Sequence, residues 1–95
     1  HQTVESIVNQ ALQEDVDVIG LSIMSGAHIP ITRKLMDLLR REGLTDRLVL
    51  IGGVIPNKDI EPLKAMGVDG VFPGGTYFDQ IVEFIKANAF KKRLG

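Results

Sequence analysis

The 95-residue chain contains no cysteine. That excludes disulfides, a thiolate nucleophile and cysteine-ligated metals, and it fits a reducing cytoplasm. No apolar run approaches the length of a membrane-spanning helix, and no signal or transit peptide pattern is visible, so no membrane partner is expected. An excess of one charge is also lacking: 11 basic against 12 acidic side chains leave a net charge of −1. Nucleic acid and anionic membrane surfaces would call for a basic footprint that this balance does not provide. There is no Walker phosphate loop, no G-x-G-x-x-G, and no cluster of His and carboxylates at metal-ligand spacing. The chain opens on His1 instead of methionine, as a processed, excised or engineered chain would.

What is present is ordinary for one globular domain, with 44% hydrophobic and 24% charged residues. The organising stretch runs from Val16 to His28. Its first half, Val16-Asp17-Val18-Ile19-Gly20-Leu21, is apolar and β-branched enough for a strand buried on both faces of a parallel sheet. Its second half, from Ser22 to His28, is a small-residue loop leading to a helix from about Pro30 to Glu42, stopped by Gly43. Before it, Thr3 caps a helix with Val4, Ile7, Val8, Ala11 and Leu12 at helical spacing, ending near Glu14. After it, Leu48 to Ile51 form a second doubly buried strand ending in Gly52-Gly53. Asn57 then caps a short helix closed by Gly67, and Val68 to Phe72 form a third strand. A last helix is expected to bury Phe78, Ile81, Val82, Ile85 and Ala89. Three strands alternating with four helices through short connections predict a parallel α/β sheet with right-handed crossovers.

Parallel strands bring three loops to one sheet edge: Ser22 to His28, Gly52 to Pro56, and Pro73 to Thr76. None contains Asp, Glu, Lys or Arg, so this edge offers amides and small side chains instead of a general acid or base. The paired glycines let a ligand approach the backbone. His28 is a lone histidine without a second ligand, and is read as a loop polar group or a neighbour of a bound cofactor. Tyr77 and Phe78 open the last helix, and Lys91-Lys92-Arg93 suit a solvated helix C-terminus.

The wording of these segments is specific. Val16 to His28, then Ile51-Gly52-Gly53-Val54-Ile55-Pro56, then Gly70-Val71-Phe72-Pro73-Gly74-Gly75-Thr76 resemble, in order, the cobalamin-binding domain of acyl-CoA mutases of the methylmalonyl-CoA mutase type. The resemblance implies a flavodoxin-like (Rossmann-like) fold and a site for the nucleotide tail of adenosylcobalamin. It implies that Ser22 hydrogen-bonds the benzimidazole and that Met24 stands where the family usually has Leu, with Ser25 beside it. Gly52 and Gly53 would line the tail channel, and Phe72, Gly74, Gly75 and Thr76 would close it. Pro73-Gly74 reverses the Gly-Pro order common in the family. The family's opening strand, its Asp-x-His-x-x-Gly loop with the lower axial cobalt ligand, and the following helix and strand have no counterpart in this stretch. Residues 1–95 therefore read as a partial cobalamin-binding domain with no catalytic residue and no metal ligand of its own. An acyl-CoA-binding barrel domain or subunit is the implied partner of an isomerase.

In the flavodoxin-like strand order the family's first strand would lie beside Val16 to Ser22. That strand is therefore expected to be an open edge, and self-association as a dimer or element swap is expected to cover it. The alternative is an oligomeric scaffold of flavodoxin-like shape that holds no ligand. A phosphorelay receiver is disfavoured, because no strand end supplies the expected Asp or Lys.

Overall fold

A computed structural model describes residues 3–23, 26–74 and 76–94. Its first helix, α1 (Val4–Glu14), begins as expected, with the Ser6 N–H donating to Thr3 Oγ1 at 3.1 Å. Asp15 ends it in the left-handed region (φ 49°), and the Val16 N–H still bonds back to the Ala11 carbonyl. Strand β1 (Val18–Ile23) therefore starts two residues later than Val16.

Helix α2 (His28–Arg41) starts two residues before Pro30. Proline is tolerated in the first turn because its missing N–H would be unbonded there anyway. At its far end Gly43 takes φ 72°, its N–H bonds to the Arg40 carbonyl, and the Leu44 N–H bonds to the Leu39 carbonyl at 2.8 Å. Those two bonds are the double closure that a left-handed glycine allows.

Strand β2 (Leu48–Gly53) is the central strand, and Leu48 to Ile51 are all buried as predicted. Helix α3 (Asn57–Ala65) takes Pro56 as its cap, so Asn57 is its first residue and not the capping side chain. Pro56 already has the extended ψ of 143° that a cap position requires, and its carbonyl receives the Asp59 N–H. Gly67 follows at φ 104°, and strand β3 (Gly70–Pro73) begins two residues later than Val68. Helix α4 (Phe78–Leu94) completes the chain.

The three strands are parallel, in the order β1-β2-β3. Alternation then sorts the side chains. Ile19, Leu21 and Ile23 share a face with Val49, Ile51 and Val71, and against it α1, α2 and α3 bring Val8, Ala11, Leu35, Leu39 and Leu63 into one core. The opposite face carries three cross-strand rows: Val18 with Leu48; Gly20, Leu50 and Gly70; and Ser22, Gly52 and Phe72. Among the described residues only α4 covers that side, and none of its residues is fully buried.

The expected buried face of α4 is accordingly corrected. Phe78 is 75% exposed, and Ile81, Val82, Ile85 and Ala89 are half-buried, because among the described residues α4 packs chiefly on β2. Phe84 makes the aromatic contact instead, edge-to-face with Phe72 at 5.4 Å. The double burial expected of β1 also fails, since Gly20 and Ser22 are exposed on the α4 side.

Ion pairs hold the far end of α4 against the amino edge of the sheet. Lys92 binds Asp69 at 2.8 Å, and Arg93 binds Asp17, just before β1, with Asp46 at 3.4 Å and Asp15 at 3.6 Å. Arg47 joins Asp46 and Asp15 in the same network. The Asp69 carboxylate also accepts the Val49 N–H at 2.8 Å. Two of the three basic residues expected in solvent are thus structural tethers.

Candidate functional site

The sparsely covered face forms a groove of about 510 Å³ between the sheet and α4. Its floor is the cross-strand rows just described: Gly20 and Leu50, then Ser22, Gly52 and Phe72. Ile81 and Ile85 form the α4 wall, and Pro73, Gly74 and Thr76 lie at the carboxyl end of the strands. None of the described lining residues is charged, and Ser22 and Thr76 are polar among them. An apolar slot with a few placed hydroxyls suits a flat, largely uncharged group held by shape, and gives no means of proton transfer.

Glycine makes the slot. A Cβ built on Gly20 would meet nothing within 4 Å, so the space above it belongs to the groove. At Gly52 it would lie 3.5 Å from the Phe72 carbonyl, an ordinary contact. Gly53 instead serves the backbone, since at φ 111° its Cβ would sit 2.3 Å from the Ile23 carbonyl, and only glycine lets β1 and β2 end side by side. Gly70 makes room for aromatic packing, since a Cβ there would come within 3.0 Å of both Phe72 and Phe84.

Of the residues expected from sequence, Ser22, Gly52, Gly53, Phe72, Gly74 and Thr76 all line this one groove. Thr76 turns back on the strand end, its hydroxyl donating to the Pro73 carbonyl at 2.7 Å. Met24, Ser25 and Gly75 lie outside the described residues. His28 is neither a loop residue nor part of the groove. Because α2 starts early, its ring falls on the inner stripe with Thr32, Leu35 and Leu39, and is 1% exposed.

Sequence reasoning missed Gly20, Leu50, Ile81 and Ile85, and placed the ligand at the loops when the groove continues down the sheet face. The signal was available in Gly20 and Ser22, two residues apart and hence on one face of a strand. Glycine inside a strand marks a close approach of something to the backbone.

Among the described residues no cluster of three or more His, Cys, Asp or Glu could hold a metal ion, and no helix is long and apolar enough to cross a membrane. One carboxyl is clearly perturbed. Glu5, at the α1–α2 surface and not in the groove, is held below its usual range mainly by its hydrogen bond with Lys34 at 2.7 Å.

Comparison with known proteins bears on this geometry. Residues 1–83 match the family model of the B12 binding domain. The 2-hydroxyisobutanoyl-CoA mutase small subunit of Aquincola tertiaricarbonis is 38% identical over 87 residues, covering 92% of this chain and 64% of the relative. The pivalyl-CoA mutase small subunit of Xanthobacter autotrophicus is 40% identical over 92 residues, 97% of this chain and 62% of the relative. A probable methylmalonyl-CoA mutase large subunit of Mycobacterium tuberculosis is 39% identical over 94 residues, 98% of this chain but 12% of its own length. The chain thus spans less than two thirds of either small subunit.

Proposed function

The chain belongs to the B12-binding domain family, with a flavodoxin-like α/β fold, and from that premise we propose that its groove holds the nucleotide tail of cobalamin. In this reading residues 1–95 are a partial cobalamin-binding domain of an adenosylcobalamin-dependent acyl-CoA mutase, an isomerase, and are not catalytic alone. The observation that carries it is the uncharged slot over Gly20, Ser22 and Gly52, walled by Phe72 and α4.

The residues fit such a group. Gly20 and Gly52 leave the backbone bare for a flat ring, Leu50, Ile81 and Ile85 would exclude water from it, and Ser22, which lines the groove, would supply the hydroxyl that hydrogen-bonds a ring nitrogen. Gly53 keeps the strand ends together, while Phe72, Gly74 and Thr76 bound the open end. The resemblance assigns Met24, Ser25 and Gly75 to the same site, although they lie outside the described residues. When bound, adenosylcobalamin supplies the radical chemistry of a carbon-skeleton rearrangement. This chain's part is to bind and orient. His28 is buried between α2 and α3 and is not placed to ligate a cobalt centre. The acyl-CoA-binding barrel would be a separate domain or subunit, as the names of the small-subunit relatives suggest, working in the cytoplasm.

Gel filtration with light scattering, following protein and corrin absorbance together, tests this reading. Hydroxocobalamin should co-elute with the chain, and cobinamide, which lacks the nucleotide tail, should not. Failure of hydroxocobalamin to co-elute would sink the proposal.

One observation favours a second reading, an oligomeric scaffold without ligand. β1 is an edge strand with a cavity on either side: the groove on the α4 face and a pocket of about 180 Å³ against α1. We infer self-association through this edge, most simply as a dimer, because a paired strand would satisfy the backbone groups β1 leaves open on that side. The same elution profile decides it, since a mass that stays monomeric across a dilution series excludes pairing.

A further inference from the structure

One buried polar side chain has no part in the groove. Among the described residues neither ring nitrogen of His28 finds a hydrogen-bond partner, and its Nδ1 stops 4.0 Å from Oδ2 of Asp59, whose side chain is 18% exposed. One turn along α2, the Thr32 hydroxyl is likewise buried without a partner. An N–H donor must come within about 2.7–3.2 Å of its acceptor, so the His28–Asp59 gap is roughly 1 Å too wide. Buried polar groups left unmet are costly, and an imidazole facing a carboxylate at this separation is one small displacement from resolving the cost.

The position of the pair gives that displacement a meaning. His28 is the first residue of α2, which follows β1, and Asp59 lies in the first turn of α3, which follows β2. The carboxyl ends of β1 and β2 bound the groove through Ser22, Gly52 and Gly53. A ligand held by both strand ends acts on both helix starts at once.

We propose that His28 and Asp59 form a clasp that closes when the groove is filled, which makes His28 a positioning residue for the ligand. The inference rests on the cobalamin reading above. Closing the gap gives a buried, unpartnered ring nitrogen a hydrogen bond to a largely buried carboxylate, and that gain belongs to the bound state alone. Ligand affinity therefore carries the contact, while the stability of the free chain does not.

The test uses the 95-residue chain with hydroxocobalamin, measured by equilibrium dialysis, thermal melting and NMR of ¹⁵N-labelled imidazole. His28→Phe keeps a ring of similar size without its nitrogens. It should melt no lower than the parent chain and bind hydroxocobalamin about tenfold more weakly. His28→Asn, whose amide nitrogen stands where Nδ1 does, should recover most of that loss. Asp59→Ala should show the same tenfold loss, and combining it with His28→Phe should add nothing. In the parent chain the His28 imidazole N–H signal should shift when hydroxocobalamin is added. Unchanged affinity in His28→Phe, additive losses in the double variant, or an unmoved imidazole signal would each overturn the clasp while leaving the cobalamin site standing. A parent chain that retains no hydroxocobalamin would overturn both. Should His28→Phe fail to fold, Asp59→Ala and the imidazole signal still decide the matter.

Discussion

The two faces of the sheet are built to different standards. On one, three helices close over Ile19, Ile23, Val49 and Ile51, and Leu35 and Leu63 are fully buried. On the other, a single helix lies over a floor containing Gly20, Ser22, Gly52 and Gly70, and none of its residues is fully buried. The same three strands serve both, because alternation lets one strand show isoleucine to one side and glycine to the other. The fold is held by the first face, and the second is left open as a groove.

Substitution can break that contrast. Leu35→Ala, on the closed face, should lower unfolding free energy by about 2–5 kcal/mol in a urea titration, whereas Ile85→Ala on α4 should cost about 1 kcal/mol or less. Equal losses would mean that the open face is as much a core as the closed one. Gly53→Ala should cost about 1–3 kcal/mol by the same assay, because its backbone conformation and the nearby Ile23 carbonyl both resist a side chain.

Arg93→Ala should cost about 1 kcal/mol at low salt and almost nothing in 1 M NaCl, since partly exposed ion pairs are screened. Gly20→Val sharpens the comparison most. Its melting temperature should stay within a degree or two of the parent chain, the free energy changing by about 0.5 kcal/mol or less, yet hydroxocobalamin retention should be lost because the new side chain fills the slot.

The smallest effect belongs to Glu5→Gln. Because the Lys34 hydrogen bond lowers the Glu5 carboxyl in the folded chain, its contribution is present above the ordinary carboxylate range and is lost as pH falls through the folded value. Melting curves of the two chains should differ slightly at neutral pH and coincide in acid.

Much of the closed face was legible in the sequence, because its determinants are local. Thr3 caps α1, Gly43 stops α2, and the apolar spacing of Leu35 and Leu39 points their helix inward. The buried run Leu48 to Ile51 announced a central strand for the same reason. What failed to read was whatever depends on packing between elements distant in the chain. Apolar residues at helical spacing on α4 predict burial, but burial needs a second helix beside it. Asn57 looks like a cap until the fixed backbone of Pro56 takes that place. For the site, Ser22, Gly52 and Phe72 read as separate loop residues, and only the strand register shows that they form a single row across the sheet. Gly20, in the next row toward the amino edge, does not stand out because it sits inside an apolar run and its role depends on what is absent above it.

The glycines themselves carry a record of which face they serve. Gly53 is fixed by its own backbone and Gly70 by the rings of Phe72 and Phe84, so any chain that keeps this fold must keep them small, whether or not it binds anything. A side chain at position 20 would meet no described residue within 4 Å. If the groove holds the proposed ligand, a lineage that abandoned it would lose the restraint at position 20 first, and strand propensity would then favour a β-branched residue there. On that proposal, the residue at this one position should distinguish relatives that bind through the groove from those that share only its architecture.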